Sequence, residues 1–241
     1  MKQQAIVMGK GTLAIRIAQW FLDSPNYELI HVVPVMPEPS WTESLARWAD
    51  DHAIAYPSSG HYRDIPAASD PNHVFDLVFS VFYDKIIKAD FIARCRRILN
   101  LHNGPLPRYR GVSPINWALK NGETKHGVTI HEITPGIDDG PIVAQVDYSI
   151  YPAFDEVIDV YRRAIEYGWV LFQQTMPLID RIEPQAQDPG RATYYSAHQN
   201  HLLGDRRGFT RHESLNSIDR EHWPAHNTNA SIGEHHEYPV S

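Results

Sequence analysis

Between residues 5 and 102, short apolar runs alternate with stretches of helical periodicity, and this alternation constrains the fold more than any other feature of the chain. Ala5 to Met8 is apolar and ends at Gly9. Leu13, Ile17 and Phe21 then recur at helical spacing within the segment from Thr12 to Leu22. A turn cluster, Ser24-Pro25-Asn26, precedes a second apolar run from Leu29 to Val35. Ser40 is placed to cap a helix over 41–52, with Glu43 three positions on as the return half of a capping box. Asp76 to Val81 and Arg97 to His102 are a third and a fourth run, with a helix expected between them over 88–96. Parallel neighbours need a crossover and helices usually supply it, so the spacing predicts an α/β fold with a mostly parallel sheet.

The second half adds a short helix over 114–121 and two β-rich runs, His126 to Thr134 and Pro141 to Ile150. Pro135-Gly136-Ile137-Asp138-Asp139-Gly140 joins them as a hairpin-like pair. Asp155 to Ile182 is one long amphipathic helix, with a bend expected near Gly168 and Pro177. Beyond Arg181 the composition shifts to His, Asn, Asp and Gly, with one aromatic pair at Tyr194-Tyr195. The expected organisation is a Rossmann-like catalytic domain over 1–182, its sheet flanked by helices, and a small C-terminal extension of hairpin and loops over 183–241. There are no internal repeats.

Charge and composition narrow the function. The 29 acidic residues outnumber 22 basic ones for a formal net charge of −7, which argues against a partner held through nucleic-acid phosphates. Cys95 is the single cysteine, so an intramolecular disulfide and a thiolate zinc site are both excluded, and a small, partly buried residue is expected there. The 14 histidines, His235-His236 among them, are scattered and form no His-Glu-x-x-His pair, so no metal is expected. Met1-Lys2-Gln3-Gln4 leads straight into a strand, without a signal-like region, and no apolar stretch approaches the roughly 18 residues of a membrane span. A cytoplasmic protein without a membrane partner is the expectation.

Three stretches can carry chemistry. Asn100 to Gly111 begins at the carboxyl end of an expected parallel strand, the edge at which open α/β sheets bind ligands. Side chains alternate along a strand, so Asn100 and His102 share a face, and an amide beside an imidazole can serve as oxyanion donor and proton acceptor. A polar strand end followed by a Pro/Gly loop explains the same residues without catalysis. Gly136 to Gly140 supplies a carboxylate that can approach that strand end, or is simply a tight turn. Gly9-Lys10-Gly11-Thr12 offers backbone amides to a phosphate, although it has neither the dinucleotide fingerprint nor a P-loop.

Taken together, these segments resemble the folate-dependent formyltransferases over roughly residues 5 to 180. The family's Asn-x-His followed by Leu-Pro-x-Tyr/Trp-Arg-Gly reads here Asn100-Leu101-His102, then Leu106-Pro107-Arg108-Tyr109-Arg110-Gly111, and its Gly-x-Asp-x-Gly reads Gly136-Ile137-Asp138-Asp139-Gly140. The resemblance implies N10-formyltetrahydrofolate as co-substrate, no metal, and Asn100, His102 and Asp138 as the catalytic trio. The segment from Asp76 to Tyr83 is similar to the one that lines the pterin pocket, so Ser80, Val81, Phe82 and Tyr83 are expected on the folate, with Ile137 and Asp139. Lys10, Lys85, Pro107, Tyr109, Tyr194 and Tyr195 are expected on the acceptor.

The branch is less constrained. Methionyl-tRNA formyltransferases carry a basic tRNA-binding domain, against the acidic balance here. Gly140 to Gln145 is similar to the glycinamide ribonucleotide branch, and Ala192-Thr193-Tyr194-Tyr195 to the sugar-nucleotide branch. The second implies an acceptor amine on a nucleotide-linked amino-deoxy sugar, and a homodimer. Two rivals would use the same residues otherwise. A nucleotide-binding module would need only the Gly9 loop, and a formate-releasing hydrolase would direct water at the donor, with a regulatory domain for which there is no room before Ala5.

Overall fold

The protein was analysed as a computed structural model in which residues 2–204 are described. His235-His236 and the rest of the expected extension beyond Gly204 lie outside the described residues. In chain order the elements are β1 (Gln3–Gly9), α1 (Gly11–Asp23), β2 (Tyr27–Pro34), α2 (Leu45–Asp51), β3 (Phe75–Val81), α3 (Ala89–Ile92), β4 (Cys95–His102), β5 (Arg110–Gly111), α4 (Pro114–Lys120), β6 (Lys125–Glu132), β7 (Ile142–Ser149), α5 (Val157–Thr175) and β8 (Tyr194–Tyr195).

Six strands form the main sheet in the order β2-β1-β3-β4-β6-β7. The first four are parallel, and β6 and β7 continue the sheet antiparallel, as the hairpin-like pairing predicts. Parallel strands are covered on both faces and so read as continuous apolar runs. Strand β1 shows how the cover is divided. Ala5 and Val7 face a core made with α1, α4 and α5, whereas Ile6 and Met8 face a second core that holds Tyr62, Ile65 and Phe91. Helix α1 buries Leu13, Ala14, Ile17, Ala18 and Phe21, one stripe of a 3.6-residue repeat.

Three boundaries differ from the sequence expectation. The helix expected from Trp41 starts only at Leu45. Its cap is Ser44, whose hydroxyl accepts from Arg47 N at 2.9 Å, and the Glu38 carboxylate accepts from Leu45 N and Ala46 N at 2.7 and 3.2 Å. Those groups satisfy the free amides of the first turn, so Ser40 and Glu43 cap nothing. The helix expected over 88–96 contracts to four residues, because Cys95 and Arg96 already belong to β4, where Cys95 pairs with Phe75. The long C-terminal helix runs continuously through Gly168 and ends at Thr175, where Pro177 enters a 3₁₀ segment over Met176–Arg181.

The described part of the expected extension is not a hairpin. Tyr194–Tyr195 pairs in parallel with Arg110–Gly111, and Gln185 bridges Ile142. Residues after α5 therefore return to the loop that leaves β4.

Candidate active site

Along the face of β4 that carries Ile98, Asn100 and His102, the sheet turns from apolar to polar as it nears its carboxyl edge. Ser80, Asn100 and His131 stand in one row across β3, β4 and β6, and His102, Thr129 and Gln145 form the next row across β4, β6 and β7. His102, Thr129 and His131 are all buried. Two residues past β4, Gly104 passes so near the imidazole that a Cβ there would lie 2.8 Å from His102 Nε2.

The loop between β6 and β7 brings Asp138 onto this face. Its φ is +49°, a left-handed conformation that Asp tolerates better than most side chains do. The carboxylate accepts from Gly111 N at 2.8 Å. It lies 3.5 Å from His102 Nδ1 through one oxygen and 3.5 Å from His131 Nε2 through the other. Gln187 braces the loop from below, donating to Asp138 O at 2.8 Å and Gly140 O at 2.7 Å, and its own oxygen accepts from the Arg110 guanidinium.

Hydrogen bonds fix the tautomers. His102 Nε2 lies 2.8 Å from the Tyr109 carbonyl oxygen, which can only accept, so Nε2 carries a proton and a neutral ring presents Nδ1 as its lone pair. By the same reasoning His131 Nδ1 donates to Glu132 O at 2.8 Å and Nε2 accepts from Asn100 Nδ2 at 3.1 Å. One N–H of the Asn100 amide is then engaged and the other remains for a ligand.

Burial pushes the His102 pKa below its ordinary value, outweighing Asp138, which raises it; His131 lowers it further and the Tyr109 carbonyl raises it. The ring is neutral near pH 7. Burial alone would raise the Asp138 carboxyl, but the charge that His102 carries when protonated, His131 and the Gly111 N–H together hold it well below the usual range. An ionised carboxylate therefore backs a neutral imidazole, with an amide N–H one row away.

The other expected contacts are spread more widely. Lys10, Val81 and Phe82 share this sheet edge: Lys10 N donates to Val81 O at 3.3 Å, and Phe82, at φ +55°, leans on Tyr161. Ser80 is buried in the row beside Asn100, Ile137 is 40% exposed, and Asp139 accepts from the Thr134 hydroxyl within its own loop. Tyr83 is tied to the opposite wall, its hydroxyl donating to Gly60 O at 2.7 Å and accepting from Tyr62 N at 3.2 Å. Lys85 pairs with Asp84 and lies over the Tyr83 ring.

Pro107 and Tyr109 correct the expectation of acceptor contacts. Both are buried, and the Tyr109 hydroxyl donates to Glu123 at 2.7 Å and accepts from Asn121 at 3.2 Å, so the ring anchors the loop while its carbonyl serves His102. Tyr195 is likewise engaged, stacked between Trp117 and Tyr109 with its hydroxyl accepting from Asn121 at 3.0 Å. Tyr194 is 49% exposed beside Gly111.

Two residues were missed. His131 was legible in part, since Thr129 and His131 alternate against Val128 and Ile130 and so share a face. Gln187 left no signal, because its partners lie 47 and 49 residues away. Among the described residues no group of three or more His, Cys, Asp and Glu is placed to hold a metal ion, and no helix is long and apolar enough to cross a membrane.

A site built this way can take up a proton and steady a negative oxygen, the two requirements of moving an acyl-type group onto an amine. Comparison with known proteins narrows that class. The formyl transferase family matches residues 42–175, more than half of the sequence, and the chain belongs to that family. The bifunctional polymyxin resistance protein ArnA of Wigglesworthia glossinidia brevipalpis is 38% identical over 106 residues, which are 43% of this chain and 16% of that protein. This chain thus spans a small part of that relative's length.

Among solved structures, WlaRD, described as a sugar 3N-formyl transferase and crystallised in the presence of dTDP and 5-N-formyl-THF, superimposes with a TM-score of 0.71 at 26% identity, over 85% of this chain and 73% of that one. An N-formyltransferase from Helicobacter canadensis, in complex with folinic acid and dTDP-3-aminofucose, gives 0.72 at 24% identity over 89% and 80%. The second likeness is one of fold.

Proposed function

We propose that the protein transfers a formyl group from N10-formyltetrahydrofolate to the amine of a nucleotide-linked amino-deoxy sugar. The observation that carries this reading is the constellation at the sheet edge, in which the lone pair of a neutral His102 faces an ionised Asp138 beside the unengaged N–H of Asn100. Family membership supplies the group transferred. The ligands of the WlaRD structure support both the folate donor and the sugar-nucleotide class.

Bound folate would supply the activated formyl carbon. The chain's residues have two tasks. The remaining Asn100 N–H faces the formyl oxygen as it becomes negative, and one such donor is worth about 3 kcal/mol. His102 Nδ1 takes the proton of the attacking amine, a general-base role worth on the order of 10² to 10⁴ in rate, and the imidazolium it becomes is held by Asp138 on one side and the Tyr109 carbonyl on the other. The proton then passes to the departing nitrogen of the donor, leaving a formamide and tetrahydrofolate.

The donor fits between the strand end at Phe82 and the exposed Ile137 of the Asp138 loop, where apolar side chains flank backbone amide and carbonyl groups. Tyr194, exposed beside Gly111, is assigned to the acceptor, and Lys10 at the head of α1 to its phosphates. Incubation with 10-formyltetrahydrofolate and a panel of amino-sugar nucleotides should yield one acceptor that gains the mass of a formyl group, with turnover at least 10²-fold lower in His102→Ala. Formylation of glycinamide ribonucleotide alone, or release of formate without an acceptor, would refute the assignment.

A further inference from the structure

The row next to the catalytic residues holds groups to which the mechanism assigns no part. Thr129 is fully buried, and its hydroxyl donates to Gly104 O at 2.7 Å while accepting from Leu106 N at 3.2 Å and Gln145 Nε2 at 2.7 Å. A hydroxyl has one proton and two lone pairs, so all of its capacity is used. The second N–H of Gln145 reaches Leu106 O at 2.8 Å. Immediately upstream, Asn103 O accepts from His126 Nε2 at 3.1 Å. Consecutive polar groups of the loop leaving β4 are therefore held by side chains of β6 and β7. This loop presses Gly104 against His102 and carries the Tyr109 carbonyl back onto His102 Nε2.

We propose that Thr129 and Gln145 are positioning residues for His102, forming a hydroxyl–amide clamp that holds the loop in the one arrangement which places the proton on Nε2 and leaves Nδ1 as the base. The inference rests on the formyl-transfer reading for its kinetic consequence and on geometry alone for its effect on the ring. Neither residue touches the reacting atoms. A loop with no regular structure between Asn103 and Tyr109 would otherwise shift by the ångström or so that is enough to cost a positioned catalytic group about 10²-fold in rate.

Three substitutions separate positioning from simple packing. Thr129→Ser keeps the hydroxyl, Thr129→Val keeps the shape and removes it, and Gln145→Glu turns a donor toward Leu106 O into a second acceptor. Protein labelled with ¹⁵N-histidine, with the His102 signals assigned by their loss in His102→Gln, reports which ring nitrogen is protonated. Wild type and Thr129→Ser should show the Nε2–H tautomer of His102. Thr129→Val and Gln145→Glu should show a tautomer mixture, with kcat lowered about 10-fold or more and both KM values within about 3-fold of wild type. Thr129→Val that matches Thr129→Ser in ring signals and kcat would overturn the proposal, as would lost stability with an unchanged tautomer. If the wild-type protein transfers no formyl group to any acceptor, the reading of the reaction fails, and the ring signals alone decide the clamp.

Discussion

Replacing Asp138 with Asn changes the charge at the centre of the site and little else. Asn occupies left-handed backbone at least as readily as Asp, so φ of +49° is no obstacle, and the amide oxygen can still accept from Gly111 N. On the proposed mechanism, what disappears is the attraction between the carboxylate and the imidazolium that forms when His102 takes up the proton. At the observed 3.5 Å and an effective dielectric constant near 20, that attraction is about 5 kcal/mol. Partial compensation by the amide dipole and by relaxation leaves about 3 to 4 kcal/mol, or roughly 10² to 10³ in kcat. Both KM values should stay within about 3-fold, because the loss falls on a charge that exists only as the reaction proceeds. The acid limb of the kcat/KM profile should also move to lower pH, since His102 loses the neighbour that raises its pKa, while burial and His131 still lower it. Formylated product quantified by mass spectrometry across pH measures all of this. Retention of more than about a tenth of wild-type turnover, with an unmoved acid limb, would refute the argument.

Three further outcomes follow from the same geometry. Gly104→Ala places a methyl group 2.8 Å from His102 Nε2 and 3.2 Å from Tyr109 O, so kcat should fall about 10-fold or more with little change in melting temperature; wild-type kcat would mean that the loop yields freely. Tyr195→Ala removes a stacked, half-buried ring and its Asn121 contact and should cost about 2 kcal/mol, a fall in Tm of about 4 to 8 °C with both KM values unchanged, whereas Tyr194→Ala should raise the acceptor KM about 5- to 150-fold and leave Tm alone. His126 is held down to about 4 by burial against an ordinary 6.5, so the unfolded chain binds its proton first as pH falls; stability is full above about pH 6.5 and declines by about 3 kcal/mol toward pH 4. Urea midpoints across that range should show this slope flattened in His126→Gln, and an identical slope in both proteins would exclude His126 as its source.

Much of this molecule is legible in the residues, for reasons that differ from place to place. The four parallel strands announce themselves because strands covered on both faces must be apolar throughout, and Asn100 and His102 stand out as polar residues of one parity where such a run ends. Asp138 is legible because a carboxylate between glycines marks a turn able to adopt positive φ. The rest depends on distance along the chain. That Asn100 faces His131 follows from antiparallel register between β4 and β6, which no local pattern encodes. Tyr109 reads as a surface aromatic in a Pro/Gly loop, yet its ring is buried because beyond α4 Glu123 accepts from its hydroxyl and Asn121 donates to it. Ser40 met every local rule for a cap and lost to Ser44, because Glu38 was within reach to take the neighbouring amides.

The segment that returns from α5 has a consequence for how such chains can be recombined. The stretch shared with the family ends at residue 175, yet Gln187 carries the backbone of Asp138 on its amide, and the Tyr195 carbonyl passes so close to Gly111 that no side chain would fit there. The family match and the segment that braces the Asp138 loop therefore end at different places in the chain. A fragment stopped at Arg181 should retain Asn100, His102 and Asp138 and still turn over poorly, with more rapid amide exchange around residues 136–140 as the visible sign. If Tyr194 meets the acceptor as proposed, exchanging the tail to change acceptor preference would also remove the Gln187 brace of the Asp138 loop.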